Sequence, residues 1–224
     1  MQREPHDGAG STALRDALPL RQRLALSYAR GQDRGALLAL LSLDARIASI
    51  LRAAREPMLA QIKLAWWRST LESDAAQWPE GEPLLAALRS WPGDRTPLID
   101  LVHAWEGMIA PAPLAVGVFD ELANARGGAF AALAGEVAFH HAHRMGRAWA
   151  LADIALRLSD AMERENVLAL AKEQDWQPAR LPHPLRPLSV LHRLARAELR
   201  EATGGHKTGA RDLLAAMRLG WLGI

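Results

Sequence analysis

Carboxylates do metal chemistry in pairs, because a hard divalent cation wants several oxygen donors and two acids on one helix share it only three or four residues apart. The chain holds 25 Asp and Glu residues, and none is followed four positions later by another. From Leu37 up to the pair Trp66-Trp67, only Asp44 and Glu56 are acidic. Asp44 falls inside a helical stripe formed by Leu37, Leu40, Leu41, Ile47, Ala48 and Leu51, where a carboxylate must find a partner or line a cavity. The ordinary partner is an arginine or lysine from an adjacent helix.

Against so few acids stand nine basic residues between Arg21 and Arg68: Arg21, Arg23, Arg30, Arg34, Arg46, Arg52, Arg55, Lys63 and Arg68. Guanidinium groups fork onto phosphate oxygens, so this run, with Arg46, Arg52, Arg55 and Lys63 at its centre, reads as a site for a diphosphate or a phospholipid head group. A solvated basic face with a few internal ion pairs gives the same sequence. Trp66 and Trp67 sit about 100° apart on a helix, so at most one points straight into a core while the other flanks it. They line a ligand cavity or pack as ordinary core residues. Glu136, His140 and His143 share a helical side, but they lack the HExxH arrangement of a zinc helix and no cysteine supports them. Gly127-Gly128 and Gly204-Gly205 lack the context of a phosphate-binding loop, and no Ser-His-Asp order emerges. The basic helix Leu188–Arg200 sets Arg193, Arg196 and Arg200 opposite Val190, Leu191, Leu194 and Leu199, a pattern shared by membrane-surface helices and core-facing ones.

Two segments carry a resemblance. Arg34-x-Ala36-Leu37-x-Ala39-Leu40, then Arg55-Glu56-Pro57, then Lys63-Leu64-Ala65-Trp66-Trp67-Arg68 resemble the opening of the squalene/phytoene synthase family, whose enzymes lead from RxALxALYAFxRxxDDxxD into (R/K)LxWWR. Counted from Arg34, the positions of the family's metal-binding aspartates hold Ala48, Ser49 and Arg52. The counterpart of the second acidic helix is similar to Ala148–Glu163, where Asp153 faces Arg157 and Asp160 faces Arg164 at a four-residue step. The resemblance therefore implies an isoprenoid-synthase-like helical fold in a shortened, acid-stripped branch, a branch that includes a complex I assembly factor with a phytoene-synthase-like domain. It implies a non-catalytic protein with no cofactor, binding an isoprenoid, a phospholipid or a partner protein. The competing expectation is an active prenyltransferase coupling prenyl diphosphates with Mg²⁺.

Those residues need helices to position them. Half of the 224 residues are apolar, with alanine and leucine dominant, which predicts an all-α chain. The core is large enough for one domain from residue 12 to 224 behind a disordered lead-in at 1–11. A net charge of +2 and a pI near 9.5 lean toward anionic partners without marking a nucleic-acid binder. Cysteine is absent, which removes disulfides, thiolate metal sites and thiol nucleophiles. No apolar segment of signal or membrane-spanning type is evident, so a cytoplasmic protein, peripheral to a membrane at most, is expected. Helices are predicted from about Thr12 to Tyr28, across Leu37–Leu51 with Asp33 as its cap after a turn at Gly31-Gln32, and from Pro57, where Met58, Leu59, Ile62, Ala65 and Trp66 make its stripe. Further helices are predicted at Leu84–Trp91, at Pro97–Ile109 capped by Thr96, and at Leu114–Arg126 ending at Gly127-Gly128. The last three are Ala129–Ser159 with a joint near Gly146, Leu188–Glu201 and about Thr208–Leu219, the Trp221 tail following.

Overall fold

Every regular element among the described residues is helical, as an alanine- and leucine-rich chain requires. The structure, a computed structural model, describes residues 6–29 and 33–204. The expected turn at Gly31-Gln32, the helix at Thr208–Leu219 and the Trp221 tail lie outside them. Helix α1 (His6–Ala17) begins within the stretch read as a lead-in. Contacts divide the chain into two units, Met1–Ile109 and Ala110–Ile224, where the sequence reads as one domain. The division falls just before Pro111 and Pro113, two residues that cannot continue a helix.

In the first unit, Pro19 separates α1 from α2 (Leu20–Leu26), taking the position before the first turn with φ near −54°. Helix α3 (Asp33–Ala53) is the centre. It is met by α1, α2, α4 (Pro57–Glu72), α5 (Pro83–Leu88) and α6 (Thr96–Gly107). Leu37, Leu40, Leu41, Leu43 and Ile47 are accordingly buried, on more than one side of the helix. Pro57 opens α4, where a missing N–H costs nothing. Thr96 starts α6 rather than capping it; the Asp94 carboxylate accepts the Thr96 N–H at 3.1 Å. The Thr96 side chain first, and then this backbone N–H, hold the Asp94 carboxyl below the usual aspartate range.

The second unit is wound on α8 (Phe139–Ala155), which touches α7 (Val116–Ala132), α9 (Ala161–Lys172) and α10 (Arg186–Ala202). The glycine readings fail here in an instructive way. Gly127-Gly128 lies inside α7 and Gly146 inside α8, with neither ending its helix. A Cβ on Gly127 would sit 2.7 Å from the His143 carbonyl oxygen, and one on Gly146 3.0 Å from the Gly127 Cα. The two helices thus cross backbone to backbone, and Phe130 meets Trp149 edge-on at 5.5 Å beside the crossing. Gly135, at φ +69°, turns the chain three residues beyond the end of α7, just before the short 3-10 turn Glu136–Ala138. Asp160 does not pair with Arg164 along one helix; it caps α9, accepting the Glu163 N–H at 2.8 Å.

Candidate functional site

The ligand-site candidates Asp44, Arg46, Arg52, Arg55, Lys63, Trp66 and Trp67 lie on α3, the Ala54–Glu56 break and α4. Asp44 is buried, and one of its partners is the Trp105 indole, whose Nε1 donates at 2.8 Å from α6. An aromatic N–H is thus among the groups that meet this carboxylate. A hydrogen bond to a charged group is worth about 1.5–3 kcal/mol, and this one ties α3 to α6. Arg46 turns outward to Glu82, 3.2 Å away, a surface pair of small value.

Helix α4 carries the unexpected feature. The stripe that sequence points inward, Met58, Leu59, Ile62 and Trp66, is 66%, 48%, 59% and 44% exposed. The residues that enter the core are Ala60, Leu64, Trp67 and Leu71 on the opposite side. Both sides are apolar at helical spacing, and periodicity cannot tell which one the neighbours cover. The tryptophans divide accordingly: Trp67 is 3% exposed and Trp66 lies outside it, their rings edge to face at 5.1 Å.

Cations border the bare side. Arg52 on the last turn of α3, Arg55 in the break and Lys63 on α4 are exposed, and none pairs with a carboxylate among the described residues. At the far end, Arg68 donates to Glu106 at 3.1 Å and reaches Glu72 at 3.7 Å. The Glu106 carboxylate raises the Arg68 pKa further above its ordinary range. This arrangement can bind an apolar surface with anions at its edge.

The other acids of interest are held by protein groups. In α8, Asp153 faces the buried Arg126 at 3.3 Å and Arg157 at 2.9 Å, and Arg126 also stacks over Trp149 at 5.5 Å. The Asp153–Arg157 step read from sequence is therefore an ion pair. Asp160 and Glu163 stand three residues apart, a spacing that admits a shared metal. Their carboxylates instead accept backbone N–H groups, Asp160 that of Glu163 and Glu163 that of Leu114 at 2.7 Å. His140 and His143 pack against the Phe139 ring. Burial, with Arg147 and His140 behind it, lowers the His143 pKa. Among the described residues, no three metal-ligating side chains group around one point.

Two hollows lie away from this face. A cleft of about 590 Å³ in the first unit is lined by Gly10, Ser11, Leu14, Leu38, Pro83 and Ser90, with Glu82 at its edge already engaged by Arg46. In the second unit a space of about 20 Å³, room for roughly one water, is enclosed by Trp176, Ser189, His192 and Arg196. His192 went unremarked in the sequence, although it stands four residues after the inward Leu188. Its ring lies 4.9 Å from Trp176, its Nε2 is buried without a hydrogen-bond partner, and its pKa is lowered to about 4, chiefly by burial and then by Arg144 and Arg196. No protein-family model, no curated protein and no solved structure gives a match to this chain.

Proposed function

We propose that this chain is a non-catalytic protein of the squalene/phytoene synthase type, isoprenoid-synthase-like in fold, that binds lipid through the outer side of α4. The observation that carries the reading is an apolar helix face open to solvent and edged by cations, Arg52, Arg55 and Lys63, with no acid partner among the described residues. Large exposed apolar patches on folded domains mark interaction surfaces. Support for the non-catalytic half comes from the two inward carboxylates of the central helices. Asp44 accepts from the Trp105 indole and Asp153 is held by Arg126 and Arg157, so neither is presented to a leaving group.

The test uses the purified full chain in two assays. Farnesyl or geranylgeranyl diphosphate with Mg²⁺ should remain unconsumed, while equilibrium binding of a dispersed, labelled phospholipid should saturate and weaken when Ile62→Glu is introduced. Magnesium-dependent turnover overturns the non-catalytic half of the reading. Absence of any lipid binding overturns the other half.

A further inference from the structure

We propose that α4 is an interfacial anchor whose outer side lies in the plane of an anionic bilayer. This rests on the lipid-binding reading above and deepens it by naming the occupant as a membrane surface rather than a single lipid molecule held in a pocket. Met58, Ile62 and Trp66 follow one another at four-residue steps, so they form a straight row along the helix, and Leu59 lies beside it. All four side chains face solvent on one side of a helix of 16 residues, about 24 Å long at 1.5 Å per residue. Side chains this exposed stand out from the helix, which suits insertion among lipid chains better than enclosure of one ligand. No helix among the described residues is long and apolar enough to cross a membrane, and α4 needs only to lie along one.

The polar residues favour a negative surface as the partner. Arg52 and Arg55 gather at the N-terminal end and Lys63 flanks the row midway; Glu56 is the acid between them. Arginine and lysine stems lie along apolar surface while their charged heads reach outward, so these three can meet head-group phosphates as the row enters the acyl boundary. Trp66, apolar in body with one N–H, is the residue type that settles at that boundary. Each cation near an anionic leaflet strengthens attachment by about fivefold. Another exposed apolar group, Val137 with Phe139, has histidines and Glu136 for neighbours and lacks such a basic border. Helix α10, the other amphipathic candidate, has Val190, Leu191, Leu194 and Leu199 buried within its own unit.

The absence of cysteine makes a direct test clean. Ile62→Cys carries an environment-sensitive fluorophore, with Asp100→Cys, exposed on α6, as the control position. Vesicles of phosphatidylcholine alone are compared with vesicles that also contain phosphatidylglycerol. The label at position 62 should shift to the blue only with the anionic vesicles, and the control should not shift. Co-sedimentation of the unlabelled chain should fall by about tenfold or more for Met58→Glu with Ile62→Glu, and by a similar factor for Arg55→Glu with Lys63→Glu. It should also weaken as salt is raised. Circular dichroism checks that these surface variants stay folded.

Vesicle binding that survives both pairs of substitutions overturns the proposal by assigning attachment to another surface. A dimer that Met58→Glu with Ile62→Glu dissolves, without vesicle binding, overturns it in favour of a second copy of the chain. If dispersed lipid binds and vesicles do not, the anchor fails while the lipid-binding reading stands. If neither binds, both fail.

Discussion

Helices α4 and α10 read alike as sequences, each a leucine-bearing amphipathic segment with scattered cations, and the fold treats them differently. Helix α10 has one apolar side. Leu188, Val190, Leu191, Leu194 and Leu199 are all buried, while Arg200 remains exposed and Arg193 and Arg196 are half-buried. Helix α4 has two apolar sides, one covered by its own unit and one bare. A single apolar side is explained by core packing. A second one is surplus to the packing of the described residues.

The contrast is sharpest under charge insertion. Leu191→Glu in α10 places a carboxylate in a closed interior, a cost comparable to the whole stability of a domain of this size, about 5 kcal/mol or more. Ile62→Glu in α4, at the same chemical cost in sequence terms, should change stability by no more than about 0.5 kcal/mol. Chemical denaturation of the two variants decides the matter. Equal destabilisation would mean that the α4 row is covered in solution and that the comparison is wrong.

How far the sequence could have led to this is visible residue by residue. The helical class, the proline that opens α4, the division of Trp66 from Trp67 and the Asp153–Arg157 step all follow from local rules that act within a few residues. What failed depends on neighbours distant in sequence. Met58, Leu59, Ile62 and Trp66 share a face whichever way that face points, and only the packing of α4 against α6 and α3 decides the direction. Gly127 and Gly146 look like helix ends because glycine often is one. Their function in permitting two backbones to touch needs the partner helix to be seen. Asp44 was legible as buried, but its indole partner lies 61 residues away in sequence.

A second way to probe the closed side of the comparison is to empty a charge from it. Asp153 is 12% and Arg126 6% exposed at the side chain. Asp153→Ala leaves Arg126 buried without its carboxylate, which should destabilise the second unit by about 3–5 kcal/mol. The double variant Asp153→Ala with Arg126→Met should recover much of that loss, since removing both partners leaves no stranded charge. If the double variant is no better than the single one, the pair is not what closes this interior.

The smallest effect is read by pH and uses His192 as a reporter of how closed the α10 side is. Its ring is buried against Trp176, with Arg144 on α8 and Arg196 on α10 opposing its protonation and Asp175 favouring it. The folded pKa of about 4 lies below the ordinary value of 6.5, so between those limits the unfolded chain takes up the proton first. Stability is therefore full above pH 6.5, falls as the pH drops toward 4, and loses no more through this group below that. At 1.36 kcal/mol per unit the loss amounts to about 3 kcal/mol. His192→Leu, which keeps the position apolar, should flatten the difference between pH 6.5 and 4 by that amount relative to the unsubstituted chain. An unchanged slope would mean that His192 meets solvent, and that α10 is as open on this side as α4 is on its own.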